Sequence, residues 1–196
     1  MSHALAVITE PDRAATVLDP IRLKLLRELA QPDSATGLSR RLGLPRQKLN
    51  YHLRRLEDEG LVELVEERKK RNCTERVVRA TARSLLISPA ALGELAADPA
   101  RIEDRGSSAY LVATAARTIR EVAELREGAD RAGKKLATLT LEAEIRFATP
   151  TAQQQFAEEL THEFARLAAR YHDEHAAEGR RFRCLGTVYP APREEP

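Results

Sequence analysis

The spacing of apolar residues predicts three short helices before Gly60. The helices start at Asp19-Pro20, at Ser34 and at Pro45, which are residues favoured as caps or in first turns. After each start, large aliphatic residues recur three or four positions apart and so share one face: Ile21, Leu25 and Leu29, then Leu38 and Leu42, then Leu49, Leu53 and Leu56. Three such helices are the minimum core of a helix-turn-helix domain.

The third helix, Pro45–Glu59, is polar on the side opposite its leucines. Its polar side chains are amides, a phenol and cations, the types that bind base edges and phosphates. We predict that Gln47, Asn50, Tyr51 and Arg54 face base edges, and that Arg46, Lys48 and Arg55 hold phosphates. An ordinary amphipathic hairpin with a solvated basic face has the same pattern, so the residues that follow decide between these two interpretations.

After Gly60 the apolar period changes from that of a helix to that of a strand. Residues 61–66 and 76–80 alternate, which predicts a β-hairpin. Its tip carries four consecutive cations, Arg68, Lys69, Lys70 and Arg71, and the predicted wing spans residues 66–75. A basic hairpin directly after a basic helix is typical of a winged helix, whose wing lies along the DNA backbone or in the minor groove.

The charge distribution supports a polyanion partner for this segment. The whole chain has a net charge of +2, but residues 40–83 contain 13 basic and 7 acidic residues, a local charge of +6. The remaining residues therefore have a net charge of about −4. A local basic patch on a nearly neutral protein predicts nucleic acid as the partner of that patch.

Two motifs resemble the ArsR-type winged helix-turn-helix regulators. They are LDPIRLKLL at residues 18–26 and NYHLRRLEDEGLV at residues 50–62, and the resemblance covers roughly residues 14–82. It implies a winged-helix fold, a homodimer, and repression by operator binding through the helix Pro45–Glu59. Metal-sensing members carry their cysteine motif near the segment Ala35–Leu42, which here has no Cys or His. Metal sensing of that type is therefore not expected.

The second half begins with a connector, residues 84–106, and a long helix from Ser108 to Glu127. Small and β-branched residues form a heptad-like stripe on this helix, and they are our predicted dimerisation residues: Val112, Ala116, Ile119 and Ala123. The alternative is that this helix packs on its own domain.

A strand–helix–strand pattern follows, with strands at Ala137–Ala148 and Arg181–Tyr189 and a helix at Ala152–Ala177. Two strands are too few for an independent sheet. Additional strands must come from Leu85–Ile87, from Leu5–Ile8 or from a partner subunit, which predicts a small α+β domain that depends on dimerisation. Its apolar residues either line a pocket for a small-molecule effector or form core and dimer interface: Leu139, Leu141, Phe156, Leu160, Phe164 and Tyr171.

The sequence gives little support for a catalytic site or a metal site. His172 and His175 have a spacing that can chelate a metal on a helix, but a solvated helix face has the same spacing. Cys73 and Cys184 fit no metal or redox motif, and no apolar run has transmembrane length. We therefore expect no enzyme activity, no catalytic or metal site, no cofactor and no membrane association, and a cytoplasmic location. The excess of Arg over Lys suggests a bacterial genome rich in GC.

These observations predict an α+β protein in two domains. Residues 1–83 form a winged helix-turn-helix DNA-binding domain, and residues 107–196 form a small α+β domain for dimerisation or ligand sensing. The predicted function is a sequence-specific transcriptional regulator, a repressor that binds double-stranded DNA as a homodimer. The alternatives are a winged helix used for protein–protein contact and a regulator whose second domain binds a small apolar inducer.

Overall fold

The computed structural model describes residues 3–70 and 73–192. It divides into two compact units, an N-terminal unit, Met1–Leu136, and a C-terminal unit, Ala137–Pro196. In chain order the elements are β1 (His3–Ile8), α1 (Pro11–Leu18), α2 (Pro20–Glu28), β2 (Asp33–Ser34), α3 (Ala35–Leu42), α4 (Arg46–Asp58), β3 (Val62–Lys70), β4 (Cys73–Ala80), β5 (Ala82–Ile87), α5 (Ser108–Arg131) and α6 (Pro150–Tyr171). Two short 3₁₀ segments, Pro89–Leu95 and Pro99–Arg101, precede α5.

The three predicted helices form where the capping signals place them. The Asp19 carboxylate accepts hydrogen bonds from the backbone N–H groups of Ile21 and Arg22 at the start of α2. The Ser34 hydroxyl accepts one from Gly37 N–H at the start of α3. Gly43 ends α3 with a φ of +66°, a left-handed conformation that glycine adopts without steric cost.

The predicted hairpin is present and is longer than predicted. Strands β3 and β4 pair antiparallel from Val62–Ala80 to Lys70–Cys73, with an irregularity between Leu64 and Glu66, and β2 pairs with the other edge of β4. Because pairing continues to Lys70, the cations at positions 68–70 belong to β3 and not to the tip. Arg71, the fourth predicted wing cation, lies outside the described residues.

A second sheet joins the two ends of the winged domain. Strand β1 pairs parallel with β5, from His3–Ala82 to Ile8–Ile87. Leu5–Ile8 and Leu85–Ile87, which we predicted as possible additional strands of the second domain, thus pair with each other in the N-terminal unit, and Ile8 is fully buried in its core. The same core contains Leu25, Leu29, Leu38, Leu49, Leu56 and Leu61.

The domain boundary differs from our prediction. Helix α5, which we assigned to the second domain, lies in the N-terminal unit, and the division falls after Leu136. Its residues Ala113, Ala116 and Ala123 are buried. Small side chains at helical spacing allow close packing against another element, but the sequence does not say which one.

The C-terminal unit contains the predicted helix without the predicted strands. Helix α6 ends at Tyr171, earlier than predicted, and residues 137–148 and 181–189 have no strand assignment. An alternating pattern indicates the tendency to form a strand, but a strand also needs a hydrogen-bonded neighbour. Among the described residues, neither segment belongs to either of the two sheets. No helix of the described chain is both long and apolar enough to cross a membrane.

Candidate nucleic-acid interface

Helix α4 has one buried face and one exposed face. Leu49, His52, Leu53 and Leu56 are buried, whereas every residue that we predicted to contact DNA on this helix is exposed: Arg46, Gln47, Lys48, Asn50, Tyr51, Arg54 and Arg55. The helix runs from Arg46 to Asp58, one residue shorter at each end than predicted. The leucine stripe therefore fixes which side of the helix solvent or a ligand can reach.

A hydrogen-bonded turn joins α3 to α4. The Ser39 hydroxyl donates to the carbonyl oxygen of Leu44 at 2.7 Å, and the backbone N–H of Gly43 donates to the Ser39 carbonyl at 3.0 Å. Pro45 then precedes α4 in an extended conformation that suits a residue at a helix entrance. This turn sets the direction of α4 relative to α3.

A groove with a volume of about 660 Å³ lies between α4, the start of α3 and strand β4 of the wing. Three of the predicted contact residues line it, namely Arg46, Asn50 and Arg54. The same groove is lined by charged and hydroxyl side chains that the sequence did not single out: Thr36, Glu57, Thr74, Glu75 and Arg76. The groove therefore contains three guanidinium groups and an amide together with the carboxylates of Glu57 and Glu75.

An ion pair joins the C-terminal end of α4 to the wing. Arg76 in β4 donates two hydrogen bonds to Glu57, at 3.0 Å and 2.6 Å, one to each carboxylate oxygen. Its Nε also lies 3.8 Å from Glu67 in β3. Hydrogen bonding to Glu57 raises the pKa of Arg76 above its ordinary value, which favours the charged guanidinium further.

We expect this pair to stabilise the wing modestly. Both side chains are partly exposed, so a double-mutant cycle with Glu57→Gln and Arg76→Gln, measured by urea unfolding, should give a coupling energy of about 0.5–1 kcal/mol, the upper range for surface pairs. A coupling energy of zero would show that the bidentate contact does not hold the wing.

A second contact connects the wing to the start of α3. The Ser34 hydroxyl donates to a carboxylate oxygen of Glu75 at 2.7 Å while it accepts from Gly37 N–H at 3.2 Å. One side chain thus caps α3 and holds β4. Together with the Arg76–Glu57 pair, this contact fixes both helices of the helix-turn-helix to the wing.

The wing itself presents cations on an exposed strand. Arg68 and Lys69 are exposed, and Arg68 pairs with Glu66 two residues earlier. Further down the hairpin Arg79 donates to Glu63, and these hydrogen bonds lower the pKa of Glu63 below its ordinary value. Lys70 continues β3, and its backbone pairs with Cys73.

His52 is buried on the back of α4. It is 7% exposed, its Nδ1 lies 3.9 Å from an Asp19 oxygen, and this nitrogen has no hydrogen-bond partner among the described residues. Burial lowers the pKa of His52, and Asp19 opposes that shift while Arg22 and Lys48 add to it. The neutral imidazole therefore packs α4 against the start of α2.

This burial predicts a pH dependence of stability. The pKa of His52 is lower in the folded protein than its unfolded value of about 6.5, so the unfolded chain binds more protons as the pH falls. The stability that the neutral His52 contributes should be fully present above about pH 6.5, and it should decrease as the pH falls below this value. Urea unfolding between pH 5 and 8 should show a smaller decrease for His52→Gln than for the wild type. His162→Gln, at an exposed position on α6, should behave as the wild type does.

The predicted dimerisation residues do not form one exposed stripe. Ala116 and Ala123 are buried in the N-terminal unit, Ile119 is partly buried and Val112 is exposed. The burial of Ala116 and Ala123 leaves Val112 as the most exposed member of the set.

The predicted ligand-pocket residues lie on an open surface. Leu139 and Leu141 are 83% and 85% exposed, and Leu160, Phe164 and Tyr171 are also exposed. Phe156 is partly covered, and its ring contacts that of Phe147. In a single copy these residues therefore do not enclose a small molecule.

The described residues contain no group of three or more His, Cys, Asp or Glu side chains placed to hold a metal ion. Cys184 is an exposed free thiol.

Comparison with known families places a helix-turn-helix domain at the site. Residues 17–65 match the model of a family described as a helix-turn-helix domain, and this segment contains α2, α3, α4 and the start of β3. The match covers about a quarter of the chain. No curated protein matches the sequence. The matched helices and the paired hairpin that follows them make this part of the chain a winged helix-turn-helix domain, and many domains of this class bind DNA in transcriptional regulators.

Proposed function

We propose that this protein is a sequence-specific transcriptional repressor that binds operator DNA in the cytoplasm as a homodimer. The observation that supports it best is helix α4, which buries its leucines and exposes seven polar or cationic residues beside a basic wing. The helix-turn-helix match at residues 17–65 includes all of these α4 residues.

In this proposal the two parts of the site have different tasks. Gln47, Asn50, Tyr51 and Arg54 contact base edges in the major groove, where amide and guanidinium groups distinguish A and G. Arg46, Lys48 and Arg55 contact phosphates on either side. The wing follows the backbone and contributes affinity without sequence preference.

A homodimer has two copies of helix α4, each of which acts as a recognition helix. Related by a two-fold axis, they contact half-sites separated by about one helical turn, 10–10.5 bp, or a multiple of it. Occupying such a site blocks transcription directly. The open surface around Leu139 and Leu141 argues against an effector cavity within one copy, so we assign no small-molecule inducer.

Removing wing cations should weaken binding to all DNA sequences alike. Each phosphate contact that is lost should decrease the slope of log K against log salt by about 1, because fewer counterions are released. We expect Arg68→Ala/Lys69→Ala to show this in fluorescence anisotropy with both operator and random DNA. Lys134→Ala/Lys135→Ala removes an exposed basic pair outside the wing and should leave the slope unchanged. An equal effect of both variants would exclude a specific role of the wing.

A winged helix that binds only another protein is the competing function. It requires no DNA affinity above that of any basic protein. Selection of bound fragments from genomic DNA distinguishes the two functions, because a repressor enriches particular sequences and a protein-binding module enriches none.

A further inference from the structure

Helix α6 has an apolar stripe that the rest of its unit leaves largely exposed. No side chain of this helix, all of which lies in the described range, is buried. Leu160, Phe164 and Leu167 are three or four positions apart and so share one face, and they remain 38%, 42% and 45% exposed. Tyr171, at the end of the same stripe, is also exposed. Because packing of the apolar face supplies most of the stability of a helix in a protein, this stripe indicates a partner.

Two contacts within the C-terminal unit reach the stripe without covering it. The ring of Phe147 lies 5.3 Å from that of Phe156, near the start of the helix. A Cβ added to Gly186 would lie 3.9 Å from the ring of Phe164. Leu160 and Leu167 remain open to solvent despite these contacts.

Four charged residues follow the stripe along one flank of α6. Each directly precedes an apolar residue of the stripe, which places it about 100° around the helix from that residue. All four are exposed, and in chain order they are Glu159, Glu163, Arg166 and Arg170. The flank is thus acidic in its first half and basic in its second half. The residues that directly follow the stripe residues, on the other flank, are small: Ala157, Thr161, Ala165 and Ala168.

The ion pair within the helix leaves this charged flank able to bind further charges. Arg166 donates two hydrogen bonds to one carboxylate oxygen of Glu163, at 2.8 Å and 2.6 Å. A guanidinium has five N–H donors, so Arg166 can also donate to a second carboxylate. Glu159 and Arg170 form no ion pair with any described residue. The guanidinium of Arg170 lies 5.4 Å from the centre of the Tyr171 ring, at the edge of the stripe.

The order of these charges is self-complementary in an antiparallel pair of helices. Positions 159 and 170 have the same midpoint as positions 163 and 166, between residues 164 and 165. The apolar positions 160 and 167, like 156 and 171, have their midpoint one position earlier. A two-fold axis near Phe164 therefore places apolar residues against apolar residues and the acidic half of each flank against the basic half of the other. Parallel helices in register would place like charges together.

We propose that α6 joins two copies of this chain by packing antiparallel against α6 of the second copy, with the helices crossing near Phe164. This inference rests on the homodimer of the proposed function and specifies where its subunits join. Glu159 and Glu163 of each copy then lie beside the two arginines of the other flank. The small residues on the uncharged flank allow the helix axes to approach within about 8–10 Å.

A second copy fits this surface better than an unrelated protein does. An unrelated partner needs an apolar stripe of the same spacing next to a flank with the opposite order of charges. A second α6 has both features. Because a two-fold axis uses every contact twice, one acidic pair and one basic pair provide two matched sets of charges across the interface. The charges set the orientation of the helices, while burial of the stripe supplies most of the free energy of association.

The test reverses charges on this flank in the full-length protein and measures association by sedimentation equilibrium at one salt concentration. The acidic variant is Arg166→Glu/Arg170→Glu, and the basic variant is Glu159→Lys/Glu163→Lys. Each variant opposes like charges in an antiparallel dimer, so we expect its dimer dissociation constant to increase at least about tenfold. An equimolar mixture of the two variants should form a heterodimer at least as stable as the wild-type dimer. Because all four positions are exposed, the fold should be retained, which circular dichroism verifies.

Glu124→Lys/Glu127→Lys is the matched control, because it reverses two exposed acidic residues on α5 instead. It should dimerise as the wild type does. Parallel packing of α6 predicts no weakening of the acidic and basic variants, since like charges already face each other in that arrangement. Unchanged dimerisation of both α6 variants, an equal loss in the α5 control, or a mixture that does not recover would each overturn the proposed interface.

The same measurements separate this inference from the proposed function. A monomeric wild type would overturn the interface and the homodimer together, and would leave the stripe to a different partner. Operator binding by the wild type is measured independently. If the α6 variants dimerise normally and DNA binding persists, the interface is wrong and the proposed function stands. If the mixture restores the dimer but the wild type selects no DNA sequence, the interface stands and the proposed function fails.

Discussion

Replacing Gln47 and Arg54 by alanine together should nearly abolish the preference for operator over random DNA. Each bidentate contact to a base edge contributes about 1–3 kcal/mol of discrimination, so each substitution should reduce specific affinity roughly 5-fold to 150-fold. Binding to random DNA should decrease much less, because the wing and the flanking cations still contact phosphates. Both side chains are exposed, so the fold should be unaffected.

The control removes the same two residue types elsewhere in the N-terminal unit. Arg27→Ala/Gln31→Ala changes the charge equally at exposed positions in α2 and the turn after it. Anisotropy titrations with operator and random duplexes at a fixed salt concentration compare the two variants. If the α4 variant keeps its preference for operator DNA, or if the control variant loses that preference equally, α4 is not the recognition helix.

Leu56→Ala should cause the largest loss of stability. Leu56 is 0% exposed and lies in the core beneath α4. Truncating a buried leucine costs about 2–5 kcal/mol through lost burial and the cavity that remains, against a total stability of about 5–15 kcal/mol for most domains. The variant should therefore be partly unfolded at physiological temperature and should lose DNA binding as a consequence.

Leu18→Ala is the matched surface control. Leu18 ends α1 and is 61% exposed, so the same deletion should cost less than about 0.5 kcal/mol. Urea unfolding followed by circular dichroism gives both values. A similar cost for the two variants would mean that the leucine stripe of α4 is not the core.

Signals in the local sequence explain why the bounds of helix α4 were predicted to within one residue at each end. Pro45 marks its start, and the leucines that follow it define its buried side without reference to any other element. The wing was predicted for the same reason, although its strands are longer than the alternation showed. Elements whose pattern and termination are both local can be identified from sequence.

Contacts between distant residues could not be predicted in this way. The Arg76–Glu57 pair joins residues 19 apart, and the β1–β5 sheet pairs His3 with Ala82. The alternating segments of the C-terminal unit show the same limit, since alternation does not specify which strand lies beside them. The small residues of α5 were likewise compatible with a dimer interface and with packing on their own unit.

We propose above all that α4 and the wing bind particular DNA sequences. The most direct measurement is selection of bound fragments from sheared genomic DNA by the purified wild-type protein, followed by titration of the most enriched fragment at several salt concentrations. We predict affinity at least about 10³-fold above random DNA, with log K decreasing linearly with log salt. No enrichment of any sequence, or affinity that does not change with salt, would contradict the claim.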